Sequence, residues 1–112
     1  MNDEPKFDVI YSEEVNQFLS SLPEKAREKI ISNVKKSRFV IDKELFKKLN
    51  EDIWEFRTIY NQIKYRLLAF WDKKRGKVVI VTHGFVKKTS KVSSKEIQKA
   101  EAIRLEYYKQ NK

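Results

Sequence analysis

The alternation of apolar and polar positions is clearest in residues 53–88, where it predicts three consecutive β-strands. A strand places successive side chains on opposite faces of its sheet. In the first of these strands Trp54 and Phe56 therefore share one face, while Glu55 and Arg57 share the other. The pattern thus predicts a strand with an aromatic face and a charged face.

The second predicted strand, residues 62–71, has the same division. Its tyrosine, leucine and tryptophan point one way, and Lys64 and Arg66 point the other. Asn61 is a turn residue between the first two strands, which favours an antiparallel pair. We therefore predict that Arg57 and Arg66 lie near each other on one face of the sheet.

The third predicted strand, residues 77–85, contains an unbroken apolar run at 78–81, which is typical of a strand covered on both sides. The glycine-containing segment 72–76 forms the preceding turn. In this strand His83 has the same parity as the valines at 79 and 81, so strand periodicity predicts that it lies among core residues.

Helical patterns flank the three strands. After a short strand at 7–11, Ser12 is predicted to cap a first helix, and the sequence SLPE at 21–24 is a capping box that starts a second. The sequence SSKE at 93–96 starts a third, C-terminal helix. Residues 39–50 have no clean period and are interpreted as a connection packed on the sheet. The fold class predicted for the single domain 1–112 is α+β, with helices packed on an antiparallel sheet.

Charge adds a prediction about partners. The chain has 25 Lys and Arg against 16 Asp and Glu, a net charge of +9. Such a balance favours a polyanionic partner, although a basic domain without one is common. The second helix concentrates this charge on its exposed positions, which are Lys25, Arg27, Lys29, Lys35, Lys36 and Arg38. This face either binds nucleic acid or is only solvated.

Several classes of protein are disfavoured. There is no cysteine, so disulfides and thiolate metal sites are excluded. No cluster of histidine and carboxylate residues predicts a metal site, and we expect no cofactor. The N-terminus has no apolar targeting segment, and no apolar run reaches the roughly 18 residues that a membrane span requires. We expect a cytoplasmic protein without membrane contact.

Five short motifs occur in a characteristic order. They are WEFR at 54–57, YRLL at 65–68, HGFVKK at 83–88, KTSK at 88–91 and KEIQKA at 95–100. In this order they resemble the HigB-like branch of the RelE/ParE toxin superfamily, the toxins of bacterial type II toxin–antitoxin modules, over about residues 46–108. The turn after residue 60 lacks the glycine often seen in the family, and Val92-Ser93 replaces a common Thr-Pro pair.

The resemblance implies a RelE-like fold, in which an N-terminal strand and a helical hairpin pack on an antiparallel sheet with a C-terminal helix. It also implies a metal-independent endoribonuclease, an mRNA interferase that cleaves messenger RNA on the ribosome and so inhibits translation. The implied partners are the ribosome, mRNA and a cognate helix-turn-helix antitoxin similar to HigA, with operator DNA bound only through that antitoxin.

The catalytic candidates follow from the chemistry that the resemblance implies. Cleavage by the RNA 2′-OH requires neutralisation of phosphoryl charge, a base and an acid. Arg57 and Arg66 are candidates for the phosphate clamp, because a guanidinium pairs with two oxygens at once. Lys87 and Lys88 are candidates for acid or base, because neighbouring cations make a lysine lose its proton more readily. His83 is a further candidate, against the alternative that it is a core residue.

Four further residues are candidates for RNA binding. Lys64 shares the face of the arginines, and Phe85 would stack on a base, with core packing as its alternative. Lys35 and Lys36 would contact ribosomal RNA.

Two other functions stay open. A ParE-like poison of DNA gyrase would use the same fold without needing the cationic residues to converge. A non-catalytic basic module would bind nucleic acid without cleaving it.

Overall fold

The computed structural model describes residues 4–111, which form one five-stranded sheet and three helices. In chain order the elements are β1 (Asp8–Tyr11), α1 (Glu13–Ser20), α2 (Glu24–Ser37), β2 (Phe46–Lys48), β3 (Trp54–Tyr60), β4 (Ile63–Asp72), β5 (Val78–Lys87) and α3 (Ser94–Gln110). The strand order is β1-β5-β4-β3-β2. Strand β1 pairs with β5 in parallel, and every other pair is antiparallel. The predicted α+β class and the antiparallel meander are confirmed.

Two predicted helix caps are present. The Oγ of Ser12 accepts a hydrogen bond from the backbone N–H of Val15 at 3.1 Å, and the Oγ of Ser93 accepts one from the backbone N–H of Glu96 at 3.3 Å. Each satisfies a backbone donor that the first turn of a helix leaves free. These local signals therefore fix where α1 and α3 begin.

The predicted capping box at Ser21 is wrong. The Ser21 hydroxyl donates backwards to the carbonyl of Phe18 at 2.6 Å, and Pro23 occupies the N-cap position of α2 without a side-chain bond. The reason is that few residues separate the two helices, since α1 ends at Ser20 and α2 begins at Glu24. Ser21 still belongs to the last turn of α1, in helical backbone conformation, and so cannot cap α2.

The interpretation of residues 39–50 as a connection is also corrected. Residues 46–48 form the edge strand β2, which pairs with β3 so that Phe46 lies opposite Phe56. Their rings stack with centroids 4.3 Å apart. Three residues are too few to show a period, so the strand is defined by its partner and not by its own sequence.

The helices cover the two faces of the sheet unequally. Helices α1 and α2 pack on the face that carries Phe56, Leu67 and Val79. Helix α3 packs on the opposite face, against Leu68 and Phe70, near the turn between β4 and β5. The other half of the α3 face carries the charged side chains of β3, β4 and β5.

Two tyrosines fasten the end of α3 to β4. The Tyr107 hydroxyl donates to Oδ2 of Asp72 at 2.5 Å, and the Tyr108 hydroxyl donates to the carbonyl of Trp71 at 2.9 Å. Asp72 also accepts from the backbone N–H groups of the following turn. These bonds hold α3 in one position relative to the sheet. None of the helices in residues 4–111 has the length and apolar character needed to cross a membrane.

A β-bulge changes the face on which the end of β5 projects. Ala69 lies opposite Val81, but the next residue of β4, Leu68, lies opposite His83, so Thr82 is an extra residue. One extra residue reverses every later side chain of the strand. The prediction that His83 shares a face with Val79 and Val81 is therefore wrong, because His83 projects towards α3.

The same reversal places Gly84 against α1. An added Cβ at Gly84 would lie 2.5 Å from Cδ2 of Phe18 and 2.6 Å from Cδ2 of Leu67. We expect Gly84→Ala to lower the free energy of unfolding by about 1–3 kcal/mol through overpacking, measured by urea denaturation. Gly76→Asn is the control, because a Cβ there meets no atom and Asn tolerates a positive φ. Equal denaturation midpoints for Gly84→Ala and wild type would contradict this packing.

Candidate functional site

Three rows of cross-strand neighbours lead from the residues that pack against α3 to the half of this face that the helix leaves uncovered. From β3 across β4 to β5, the rows are Glu55–Leu68–His83, Arg57–Arg66–Phe85 and Ile59–Lys64–Lys87. Neighbouring strands lie about 4.8 Å apart, so side chains within a row are in reach of each other. We call Arg57, Lys64, Arg66 and Lys87 the cationic face.

Arg66 lies at the centre of the cationic face and is nearly covered, with 2% of its side chain exposed. Its Nε lies 2.8 Å from Oε1 of Glu55, which is 5% exposed, and its Nη1 donates to the carbonyl of Tyr65 at 3.0 Å. Burial lowers the pKa of Arg66, whereas the charge of Glu55 raises it. An arginine nevertheless stays protonated, so the pair is a buried ion pair with a fixed positive charge.

Arg57 is the more accessible arginine, with 24% of its side chain exposed. Its Nη1 lies 3.6 Å from Oε2 of the exposed Glu44 and 3.4 Å from the carbonyl of Lys43. Its buried Nε has no hydrogen-bond partner among residues 4–111. Surface ion pairs of this kind contribute little free energy. An incoming phosphate can therefore replace Glu44 at Arg57.

Lys87 has a pKa below that of an ordinary lysine. Burial lowers its pKa most, and the charges of Arg66, Lys64 and Arg57 lower it further, against the opposite effect of Glu55. This is the direction expected when like charges surround an ammonium group. Lys87 is thus closer than an ordinary lysine to exchanging a proton at neutral pH.

The remaining predicted lysines lie elsewhere. Lys88 is exposed and follows the last residue of β5, at the border of the cationic face. Lys35 and Lys36 belong to α2, which packs on the other face of the sheet. The structure thus separates the basic surface of α2 from the cationic face, and one small ligand cannot contact both.

His83 reaches the same face as the arginines but is buried, with 2% of its side chain exposed. Its Nε2 lies 3.1 Å from Oε1 of Glu96, and its Nδ1 lies 3.0 Å from the Thr82 hydroxyl. Burial lowers the pKa of His83, and Glu96 only partly opposes this effect. The His83 side chain thus joins β5 to α3, and its ring stacks on that of Phe85 with the centroids 5.8 Å apart.

Two carboxylates were not among the predicted site residues. Glu55 had a signal, since its parity with Arg57 puts it on the charged face of β3. Glu96 was predicted only to be part of a helix cap, and its bond to His83 depends on the packing of α3. Within residues 4–111, no three His, Asp or Glu side chains gather in a group that could hold a metal ion.

Comparisons with known proteins identify the family. A model of the phage-derived protein Gp49-like family (DUF891) matches residues 17–104, which is most of the chain. No curated protein sequence matches the chain significantly. Among the solved structures that match is that of a double arginine-to-alanine mutant of E. coli toxin RelE in the free state. It has a TM-score of 0.60 and 20% sequence identity, with 87% of this chain and 96% of that chain covered.

At this identity the structural match shows the fold, and the predicted RelE-like architecture is confirmed. Assignment to the HigB-like branch stays a prediction. The order of the five motifs, the fold and the family match agree. The chain belongs to the Gp49-like family of phage-derived proteins, a family of RelE/HigB-type toxins of toxin–antitoxin systems.

Proposed function

We propose that this toxin is a metal-independent endoribonuclease that cleaves messenger RNA on the ribosome and thereby stops translation. The observation that carries the proposal is the convergence of four cations from three strands, one of them a lysine with a lowered pKa. A scissile phosphate needs this combination, because charge develops on its oxygens while protons move at two neighbouring atoms.

In the proposed reaction, the 2′-oxygen of one ribose attacks the adjacent phosphorus and the bond to the 5′-oxygen breaks. The products are a 2′,3′-cyclic phosphate and a free 5′-hydroxyl. A base accepts the proton of the 2′-hydroxyl, and an acid protonates the leaving 5′-oxygen. The RNA supplies the nucleophile, so the protein contributes charge, orientation and proton transfer.

Each residue of the cationic face has a distinct place in this scheme. Arg57 contacts the phosphoryl oxygens directly, since it is partly exposed and weakly paired. Arg66 supplies a fixed positive charge from beneath, oriented by Glu55. Lys87 transfers a proton, and Lys64 contacts the RNA backbone. Removal of the water around these groups strengthens their electrostatic effect.

The proposed partners follow from the same function. A cognate antitoxin, of the helix-turn-helix type similar to HigA, neutralises the toxin and carries the pair to operator DNA. The basic surface of α2, which includes Lys35 and Lys36, contacts ribosomal RNA while the cationic face holds mRNA. Two separate basic surfaces suit a protein placed between two RNA strands, and the cytoplasm is where both occur.

A map of new RNA ends after a short pulse of expression without antitoxin tests the proposal. We expect wild type to produce new ends inside translated reading frames. Arg57→Ala is expected to reduce their number about tenfold to a hundredfold, since it removes one charged hydrogen-bond donor to phosphate. Its ion pair with Glu44 is weak, so we expect the variant to lose little stability.

Lys74→Ala is the matched control, because it removes the same charge from the exposed turn at the other end of the sheet. It should leave the map unchanged. New ends that are equally frequent in wild type and Arg57→Ala would contradict the assigned site. Growth arrest with DNA damage and without new RNA ends would instead support a gyrase poison, and salt-sensitive RNA binding without ends would support a non-catalytic module.

A further inference from the structure

A pocket lies beside the cationic face, between the end of β5 and the start of α3. Its volume is about 180 Å³. Its lining includes Phe85, Val92, Ser93 and Glu96, together with three lysines, one of which is Lys87. It thus combines an aromatic ring, an apolar wall, a hydroxyl, a carboxylate and cationic side chains, and Lys87 is the lysine to which we assign proton transfer.

Phe85 gives the pocket a flat wall. It is half-buried, and its ring stacks on the His83 ring with an angle of 29° between the planes. It lies directly across from Arg66, so the wall is one strand away from the centre of the cationic face. Aromatic side chains commonly stack on nucleobases in proteins that bind RNA.

Glu96 gives the pocket a hydrogen-bond acceptor with a fixed orientation. Its Oε1 is held by Nε2 of His83, while its Oε2 accepts no hydrogen bond from the described part of the chain, 4–111. The side chain is 31% exposed and borders the pocket. Because a carboxylate only accepts, a ligand at this edge must present an N–H or O–H group.

We infer that this pocket binds a nucleobase with an exocyclic amino group, belonging to the RNA strand whose phosphate lies on the cationic face. The inference rests on the proposed function, because the phosphate positions the strand. Adenine, cytosine and guanine each offer an amino group to Oε2 of Glu96. Uracil presents carbonyl oxygens on either side of its N–H, and these oxygens are repelled by the carboxylate because both groups only accept hydrogen bonds. A site that leaves an acceptor opposite an acceptor discriminates strongly.

Binding of the four nucleoside 5′-monophosphates to the intact protein tests this inference without any cleavage. Amide chemical shifts in NMR titrations report where each nucleotide binds. We expect AMP, CMP and GMP to shift the amide resonances of Phe85 and Glu96. UMP is expected to bind about tenfold more weakly. Inorganic phosphate should shift Arg57 and Lys87 only.

Two variants assign the discrimination to its groups. Glu96→Gln offers an amide N–H₂ in place of one carboxylate oxygen, and should bring UMP to the affinity of the other nucleotides. Phe85→Leu keeps an apolar wall but loses the stacking surface, and should weaken the binding of all four nucleotides alike. Glu101→Gln removes the same charge from a position on α3 outside the pocket, and should change nothing.

The inference is overturned if UMP binds as tightly as AMP. It is equally overturned if the nucleotides shift the amide resonance of Lys87 but not those of Phe85 and Glu96. It is also overturned if Glu96→Gln, folded by its own spectrum, keeps the wild-type preference. Phe85→Leu decides the matter if Glu96→Gln does not fold. These results are independent of RNase activity: an unselective pocket leaves the map of RNA ends intact, and an inactive toxin still discriminates among nucleotides.

Discussion

Arg66→Ala is expected to abolish RNA cleavage and to lower the free energy of unfolding by about 3–5 kcal/mol. Both effects have the same origin. The substitution removes the central positive charge of the site and leaves Glu55 buried without its partner at 2.8 Å. Loss of activity in Arg66→Ala alone therefore cannot separate catalysis from folding.

The double variant Glu55→Leu with Arg66→Met separates the two effects. Replacing both members of a buried ion pair by apolar residues of similar size is often neutral or stabilising. We expect the double variant to unfold within about 1 kcal/mol of wild type in urea, and to produce no new RNA ends. A double variant that cleaves like wild type would show that Arg66 only supports the fold. An Arg66→Ala variant as stable as wild type would show that the Glu55 carboxylate is solvated in the folded protein.

Lys87→Arg is expected to lower the rate of cleavage by about 10²–10⁴-fold, the usual contribution of a general acid or base. Arginine keeps the positive charge but does not give up its proton at accessible pH. Phosphate binding should therefore persist while proton transfer fails. The measurement is the single-turnover rate of cleavage on ribosomes programmed with mRNA.

The dependence of this rate on pH shows which role Lys87 has. A lysine acts as a base when neutral, so the rate would rise with pH up to its pKa, which burial and the neighbouring cations have lowered. As an acid it acts when charged, and the rate would fall as the pH passes that pKa. Lys74→Arg is the control, because this lysine is exposed in the turn between β4 and β5, at the other end of the sheet. Wild-type rates in Lys87→Arg would contradict proton transfer by Lys87.

Local patterns predicted the strands β3, β4 and β5 and the composition of their faces. Alternation is a property of each strand alone, and the turn at Asn61 predicted that β3 pairs with β4, so Arg57, Lys64 and Arg66 were expected on one face. The caps at Ser12 and Ser93 were equally predictable, because a cap involves residues three positions apart. The order of the motifs, which the family model supports, extended this to the fold and the family.

The sequence by itself thus determined the charged face, two helix starts and the family of this protein. Only the tertiary structure decided the burial of Arg66, the edge strand β2 and the separation of α2 from the site. It also decided the side on which His83 lies, since the bulge at Thr82 is visible only in the pairing of β5 with β4. The physical reason is that side-chain alternation is local, whereas strand register and burial depend on residues distant in sequence, and one extra residue reverses a face.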